Sequence, residues 1–464
     1  MTITPPDGSR CHPLGASTTV LTRLSTMALC LVAPYPALAT AVTNCNDSGA
    51  GSLRQAIIDT PDAGTIDATG LADVCSVITV KTGELSIGYD DLTIVGPGAD
   101  QLVLTALLVT DRTFHHYQSR IFSHTGRGTL TLKNLSVSAG LLTTPASQSL
   151  SGGCILSSAN VSLINTNVYD CRVTSDVGAS GGAIAARGLV YLSGSRVTNN
   201  VATGTSSGGA GGGISAGTIT ARQSTVAGNT VSGGTGQTSV VVGGGLRCAG
   251  MDISNSTISG NTASGGAISH DGYESSQGGG IYCRGTTVMS NSTVSGNSAA
   301  FGAGLFLSGS SISLTNSTIA FNSNSALSAG GAELFATSAL TIDSDIFSNN
   351  TSGPTLMAND LITGGSIAPS GSHNVVFASP SPLPAGTLRN VCPFLAPLGD
   401  NGGSTQTHRL WSNSPAIDVG DNSQALPYDQ RGPNYPRTSG NGTDIGSYEI
   451  NIADEIFGSG LDGC

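Results

Sequence analysis

Two carboxylates on one predicted strand, Asp343 and Asp345, are the best placed pair for acid–base chemistry in this chain. Residues i and i+2 of a strand point to the same face, so the two side chains could act on one substrate. Glycoside hydrolysis uses paired carboxylates at a fixed separation, whereas elimination needs a basic residue as proton abstractor. No basic residues flank the pair, so Asp343 and Asp345 are the catalytic candidates of an enzymatic alternative only.

A row of large side chains is the second candidate site. Arg247, Tyr282 and Phe306 occupy equivalent positions in three successive copies of a glycine-rich repeat, in a chain with only 5% aromatic residues. If they project outward at the spacing of stacked strands, about 4.8 Å, they could bind an extended polymer such as a polysaccharide. The alternative is that a loop or the C-terminal region covers them.

Polar clusters offer further candidates. The longest loop between repeats could be a ligand site, an acid–base site or a solvated loop, and it carries His270, Asp271, Tyr273 and Glu274. The C-terminal region combines acids and arginines, namely Asp400, Asp418, Asp421, Asp429 and Asp444 with Arg409, Arg431 and Arg437. Buried arginine–carboxylate pairs are favoured over a calcium site there, because the D-x-D-x-D-G spacing is absent. We therefore predict no metal and no cofactor.

A repeat organises most of the chain. Its first marker is an apolar residue after the glycines, found at Ile155, Ile184, Ile214, Leu246, Ile281 and Leu305, with Glu333 in the seventh place. A second marker follows about a dozen residues later, and three residues after it comes Cys171 in the first copy and then Asn200, Asn229, Asn261, Asn297, Asn322 and Asn349. The copies are 24 to 35 residues apart, and the length varies only after this position. That pattern is typical of one structural unit repeated with loops on one side.

Each repeat is predicted to be a coil of short β-strands. Gly, Ser, Thr and Asn are poor interior helix formers, and the apolar residues alternate instead of recurring every 3.6 residues. Stacked coils would align the asparagines so that their amides bond from coil to coil, which gives the asparagine column a structural role. The predicted fold class is therefore all-β, a parallel β-helix. Glu333 interrupts the inward-facing column, which indicates a register slip or a bulge at that coil.

The charge composition excludes two classes of binding partner. The net charge is −11 and charged residues make up 10% of the chain. Nucleic acids and anionic membranes bind clustered Lys and Arg, so both are excluded as partners. A solenoid grows by adding coils, so 464 residues can form one domain, and we expect a monomer.

The N-terminus is predicted to be a cleaved signal peptide, residues 1–41. Arg10 and Arg23 precede the apolar run 27–33, and small residues follow at 37–41. That run is too short to cross a membrane, and no transmembrane segment is predicted elsewhere.

Eight cysteines remain after residue 41, and an even number in an exported chain suggests disulfides, with metal binding as the alternative. Proximity in the sequence suggests Cys45 with Cys75 and Cys392 with Cys464. Cys248 and Cys283 occupy one position on consecutive coils, so stacking would bring their Cα atoms within disulfide range.

The ends of a solenoid must be covered, because open strand edges template aggregation. We predict an N-terminal cap and first coils in residues 42–120, with a short helix at Leu53 to Ile58 after Ser52. The β-helix body would span residues 121–378. A loop-rich domain at 385–450 and a tail at 451–464 would complete the chain.

Three segments resemble known families. The start of the predicted cap resembles the opening of bacterial secreted right-handed parallel β-helix proteins, through GSLRQAI followed by E-L-x-I…LTI-x-GPGA. The repeat units, GGG[IL]…NST[IV]…N, are similar to repeats of that group and of polymorphic outer-membrane proteins. The segment from Leu398 to Glu449 resembles the choice-of-anchor Q domain. Its matching motifs are LGDNGGSTQTHRL…NSPAIDVGD…DQRG…PR…DIGSYE. The resemblance implies a pectin-lyase-like fold and a secreted or surface location, and it implies no established reaction.

Two function classes remain open. The favoured one is an exported, non-catalytic β-helix that acts as an adhesin or a polysaccharide-binding scaffold at the cell surface or outside the cell. The alternative is a carbohydrate-active enzyme, either a polysaccharide lyase or a glycoside hydrolase. Turnover of a polysaccharide would separate the second class from the first.

Overall fold

The computed structural model describes residues 39–451, except 111–112, 117, 144–147, 235–238, 268–274, 328 and 366. Over these residues the chain is a parallel β-solenoid of about 11 turns with one α-helix. Strands from consecutive repeats pair in parallel, as Leu246 does with Ile281. Crossover connections between parallel strands are right-handed. The predicted right-handed parallel β-helix is confirmed.

Four sheets form the walls of the described coil. Sheet one has 19 strands: Thr40–Ala41, Gly64–Asp67, Leu85–Ile87, Leu92–Val95, Phe122–His124, Thr129–Lys133, Ile155–Ser157, Asn160–Ile164, Ile184–Ala186, Leu189–Ser193, Ile214–Ser215, Thr218–Arg222, Leu246–Cys248, Gly250–Ser254, Ile281–Arg284, Thr287–Ser290, Leu305–Thr315, Ala332–Asp343 and Leu361–Gly365. Sheet two has 12 strands: Val77–Thr79, Val103–Thr105, Ser136–Ser138, Asn167–Tyr169, Arg196–Thr198, Thr225–Ala227, Thr257–Ser259, Thr293–Ser295, Thr318–Ala320, Ile346–Ser348, Val375–Val376 and Leu388–Arg389.

Two smaller sheets complete each coil. Sheet three has nine strands: Leu141–Thr143, Arg172–Ser175, Val201–Gly204, Thr230–Gly233, Thr262–Ser264, Ser298–Ala299, Ser323–Asn324, Thr351–Ser352 and Met357–Ala358. Sheet four has four strands: Leu150–Ser151, Ala179–Ser180, Gly209–Ala210 and Val241–Val242. A separate hairpin pairs Leu107–Thr110 with Thr113–His116.

A short helix, Leu53–Asp59, lies at the N-terminal end of the coil, as predicted. The hydroxyl of Ser52 accepts the N–H of Gln55 and caps the helix. Leu53, Ala56 and Ile57 are buried against the first coils. A 3-10 turn, Thr69–Leu71, follows.

The inward columns of sheet one form the core. Ile184, Ile214, Leu246, Ile281 and Leu305 are all fully buried. The strand Ala332–Asp343 aligns one residue earlier than predicted, because Ala332 pairs with Leu305 and Glu333 pairs with Phe306. Of the two alternatives left open for Glu333, the register slip is therefore the one observed, and Glu333 belongs to the outward row.

Asparagine side chains form a hydrogen-bonded column at the corner between sheets two and three. Each amide nitrogen donates to the side-chain oxygen of the asparagine on the next coil at 2.8–2.9 Å, through Asn200, Asn229, Asn261, Asn297, Asn322 and Asn350. The prediction of Asn349 as the last member is wrong by one residue. Phe347 and not Ile346 occupies the inward position of that coil, so the asparagine three residues later is Asn350. Asp360 accepts from Asn350 at 2.9 Å and ends the column.

A second polar column lies at the corner between sheets one and two. The backbone N–H of each member donates to the side-chain oxygen of the next, through Thr166, Ser195, Ser224, Ser256, Ser292, Ser317, Asp345 and Asn374. These groups are fully buried or nearly so. The two columns satisfy backbone groups at corners where the strand pairing is interrupted.

Three disulfides join described cysteines. Cys45 pairs with Cys75, and Cys248 pairs with Cys283 with a Cα–Cα distance of 4.7 Å. Cys154 pairs with Cys171, a bond that the sequence did not predict. The predicted Cys392–Cys464 pair includes Cys464, which lies outside the described residues.

The C-terminal segment, residues 393–450, packs on sheet two over its later coils. Gln430 lies at the centre of the contact, where it donates to Thr257 and accepts from Thr293 at 2.6 Å. The hydroxyl of Ser447 contacts Thr293 at 2.9 Å and Thr318 at 3.2 Å. The segment therefore covers one outer face of the coil.

Candidate functional site

A groove runs along the outer face of sheet one beside sheet four. Two adjoining depressions of about 410 Å³ and 460 Å³ share Ser149, Leu150, Ser151 and Ser180. The strands of sheet four stand beside those of sheet one because the chain turns sharply at a corner glycine with φ near +65°, such as Gly211 at 68°. A Cβ at Gly211 would lie 2.3 Å from a backbone oxygen, so only glycine fits this turn.

The floor of the groove is the outward row of sheet one to which the predicted Arg247, Tyr282 and Phe306 belong. Five members of this row face the groove on consecutive coils: Ser123, Leu156, Ala185, Ser215 and Arg247. Tyr282 and then Phe306 continue the row. At about 4.8 Å for each coil, the floor from Ser123 to Tyr282 is about 24 Å long.

Four arginines line the groove, and we call it the arginine groove: Arg120, Arg187, Arg247 and Arg284. No described lining residue is acidic. Arg120 pairs with Glu84 at 2.7 Å, whereas Arg187 and Arg247 are exposed and form no ion pair with a described residue. In a chain of net charge −11, this groove is a local site of positive charge.

Tyr282 is more enclosed than the sequence suggested. It is only 5% exposed, and its ring stacks on that of Phe306 with centroids 5.6 Å apart and planes at 17°. The guanidinium of Arg284 lies 5.5 Å from the Tyr282 ring centroid. Phe306 is half-buried and contacts Phe335 at 5.5 Å. The aromatic part of the row thus forms one end of the groove, and Arg247 is its exposed predicted member.

Glu333 follows Phe306 in the row and makes a structural contact. The N–H of a corner glycine normally donates to a carbonyl of the next coil, as Gly278 does to Phe301 at 3.0 Å. At the next corner, Glu333 Oε1 accepts the N–H groups of Gly302 and Gly330 at 3.1 and 3.2 Å. Burial raises the pKa of Glu333 to about 7, and these two N–H groups oppose the rise. The carboxyl therefore replaces a missing carbonyl.

His124 lies beside the groove but is 1% exposed. Its Nε2 lies 3.0 Å from the Tyr89 carbonyl, which can only accept, so Nε2 carries a proton. Its Nδ1 contacts the hydroxyl of Ser157 at 2.8 Å. Both ring nitrogens are engaged, so His124 braces the corner.

The predicted catalytic pair, Asp343 and Asp345, does not form a shared site. Ser344 lies between them with φ 59° and turns the chain, which places Asp345 in the buried polar column. Burial raises the pKa of Asp345 well above its usual value. One oxygen of Asp345 accepts from Ser317 at 2.8 Å and the other from the N–H of Asp343 at 3.1 Å.

Asp343 instead has a different set of neighbours. It lies at the surface near His373 and Asp421, and one donor atom of each of the three residues lies within 4.8 Å of the others. This cluster has the residue types of a cation site. The other polar cluster from the sequence, the loop with His270, Asp271, Tyr273 and Glu274, lies outside the described residues.

The arginines of the C-terminal segment are used for packing. Arg431 pairs with Asp429 at 2.8 Å, and its guanidinium lies 4.0 and 3.9 Å from the ring centroids of Tyr435 and Tyr448. Arg437 pairs with Glu449 at 3.0 Å. Both arginines are fully buried. The expected arginine–carboxylate pairs are present in these loops.

Three of the groove arginines, Arg120, Arg187 and Arg284, were not predicted. Arg187 and Arg284 occupy the same position of the repeat, three residues after the apolar markers Ile184 and Ile281. Arg120 occupies a different position, so no single sequence column contains all three. The signal available was that arginine recurs close to the glycine corner in a chain with few basic residues. Only the parallel stacking brings these residues to one groove.

Comparisons with known proteins give a structural match. Neither the protein-family models nor the curated proteins match this chain. Among solved structures, the crystal structure of a pectate lyase, Pel9A, aligns with 89% of this chain and 98% of its own, at 12% identity and a TM-score of 0.45. The choice-of-anchor resemblance and the signal peptide remain predictions.

Proposed function

We propose that this protein is an exported β-helix scaffold that binds an extended anionic polysaccharide along the arginine groove. The observation that carries the proposal is the placement of four arginines and no described acid along one linear groove. Arginine matches the geometry of a carboxylate with two parallel N–H donors, so uronate-containing chains are the best-suited ligands.

The dimensions support a linear ligand. The floor is about 24 Å long and follows the coil axis, so a polymer would lie across several coils at once. Arg187 and Arg247 lie two coils apart, about 10 Å, and could bind separate carboxylates of one chain. The small floor residues Ala185 and Ser215 leave room between them.

Retention without hydrolysis is proposed because the described groove offers no carboxylate as acid or nucleophile. His124 is fully engaged, and Asp345 is buried in the polar column. Disulfides support export, since such bonds persist in oxidising compartments. None of the described helices is long and apolar enough to cross a membrane.

Affinity electrophoresis in gels that contain polygalacturonate, alginate or a neutral galactan tests the proposal. We expect both acidic polymers to retard the protein and the neutral one not to. Arg187→Ala with Arg247→Ala should weaken retardation roughly tenfold or more, because two charge-assisted contacts are lost.

Arg172→Ala with Arg196→Ala is the matched control, because both arginines are exposed but lie on sheets three and two. It also removes two positive charges and should leave retardation nearly unchanged. Equal retardation by the neutral polymer, or equal weakening by the control, would contradict the proposed site. Release of unsaturated or reducing ends from a polymer would favour the enzymatic alternative.

A further inference from the structure

Three side chains of types that can ligate a metal ion meet where the last coils contact the C-terminal segment. They come from separate segments of the chain. Asp343 ends the strand Ala332–Asp343, His373 lies on the following coil, and Asp421 belongs to the C-terminal segment. One donor atom of each lies within 4.8 Å of the other two. Asp343 and Asp421 are half-buried and His373 is exposed, so solvent ions can reach the cluster.

The contacts of His373 leave one ring nitrogen available. Its Nδ1 lies 2.7 Å from the hydroxyl of Ser372, and that hydroxyl lies 3.1 Å from Asp343 Oδ1. The carboxylate can only accept, so the hydroxyl donates to Asp343 and accepts from Nδ1–H. The lone pair of His373 is then on Nε2. Metal-bound histidines show this arrangement, with the outer N–H donated to a polar neighbour.

No described hydrogen bond or ion pair joins His373 to either carboxylate. Two serines bridge the cluster instead. Ser372 links Asp343 to His373 as described above. Ser423 donates its hydroxyl to Asp343 at 3.4 Å and its N–H to Asp421 at 3.2 Å. Two carboxylates facing each other in this way also repel, and a cation between them would remove that repulsion.

The location gives the cluster a structural context. On earlier coils, the residue that turns this corner bonds the C-terminal segment directly: Asn255 to Asp429, Asn291 to Tyr428, and Asn316 and Ser344 to Asp421. His373 turns the same corner on the next coil, with φ 53°. A cation held by His373 and Asp421 would extend this line of contacts by one coil.

We propose that Asp343, His373 and Asp421 form a binding site for a divalent cation of the zinc class, which joins the C-terminal segment to the β-helix. Zinc takes imidazole nitrogen and carboxylate oxygen at about 2.0–2.2 Å, so tetrahedral ligands lie about 3.4 Å apart. The exposed ring of His373 can move to close this distance. Calcium and magnesium prefer oxygen ligands throughout and fit the imidazole poorly. A water molecule would complete the coordination.

The test uses untagged full-length protein after treatment with a chelator. Titration calorimetry with ZnCl₂ should show one micromolar site, and the melting temperature should rise with zinc, because a ligand that binds only the folded state stabilises it. CaCl₂ at the same concentrations should produce neither effect. Absence of a zinc site under these conditions would overturn the proposal.

Two variants locate the site. His373→Ala and Asp421→Asn should each weaken zinc binding roughly tenfold or more and abolish the zinc-dependent gain in melting temperature. Both residues are at least partly exposed, so the variants should fold. His270→Ala, which removes an imidazole next to acids in the sequence, should keep both effects. Unchanged binding by His373→Ala, or loss by His270→Ala, would contradict the assignment. The polysaccharide assay is independent of this result.

Discussion

The side-chain nitrogen of Asn322 donates to Asn350 Oδ1 at 2.8 Å. This bond carries the asparagine column across the one coil where the sequence alignment of the repeat fails. Asn349, the residue that the alignment selected, has φ 60° and turns the corner instead, with its side-chain oxygen accepting from Ser348 at 2.7 Å. Adjacent asparagines therefore have different roles, and only one of them continues the buried column.

The two neighbouring asparagines can be separated by mutation. Asn350→Ala should lower the free energy of unfolding by about 3 to 5 kcal/mol, because buried groups of Asn322, Ile319 and Asp360 lose their partner. Asn349→Gly should cost less than about 1 kcal/mol, because glycine adopts the positive φ readily. Urea denaturation of both variants measures the difference. Equal losses would show that the column does not pass through Asn350 alone.

Glu333 should give the protein a pH-dependent stability. Burial raises its pKa from 4.5 to about 7, so the folded state holds the proton more tightly than the unfolded state. Its contribution is fully present below about pH 4.5 and is lost as the pH rises to about 7. Glu333→Gln keeps an oxygen for Gly302 and Gly330 and cannot ionise. We expect the variant to be more stable than the parent by about 1 to 3 kcal/mol at pH 8.

The same two proteins compared at pH 4.5 provide the control. The carboxyl is largely protonated in the folded parent there, so the stability difference between parent and Glu333→Gln should nearly vanish. Other buried acids such as Asp360, whose pKa burial raises to about 6, titrate in both proteins and cancel in the difference. A difference that is the same at pH 4.5 and pH 8 would refute the raised pKa.

Tyr282 should contribute to folding as well as to the groove. Its ring is 5% exposed and stacks on Phe306, so Tyr282→Ala should lower the free energy of unfolding by about 2 to 4 kcal/mol. Tyr282→Phe keeps the stacked ring and should cost less than about 1 kcal/mol. Arg247→Ala, an exposed change on the preceding coil, should lie within about 0.5 kcal/mol of the parent. Thermal unfolding compares the three, and a stable Tyr282→Ala protein would show that the ring is not part of the packing.

The sequence by itself determined the coil. Repeated apolar markers separated by glycine and asparagine corners can bury a core only if equivalent strands stack in parallel, which fixes the fold and most of the register. The contact of Cys248 with Cys283 followed from the same reasoning, since one position on consecutive coils is one strand spacing apart. The cap helix at Leu53–Asp59 was also readable, because its N-cap serine and apolar face are local signals.

The sequence alignment assigned the wrong register to one coil, and the reason is local. Ala332 is a small residue in an inward position that larger apolar residues occupy on the preceding coils, so the alignment passed over it and chose Glu333. A second one-residue shift on this coil, in the opposite direction, misplaced Asn349, because Phe347 and not Ile346 pairs with Ile319. A β-strand changes face at every residue, so a shift of one residue exchanges the inward-facing and the outward-facing positions.

Only the tertiary structure decided what each polar group does. Asp345 looked like half of a catalytic pair, but the turn at Ser344 buries it in a hydrogen-bonded column. Asp343 and Asp421 are far apart in the sequence, and only the packing of the C-terminal segment brings them together beside His373. Periodic apolar residues specify a fold because burial acts on every coil in the same way. The arginine groove and the cation cluster depend on single side chains from different coils. The repeat pattern of the sequence does not show where those side chains meet.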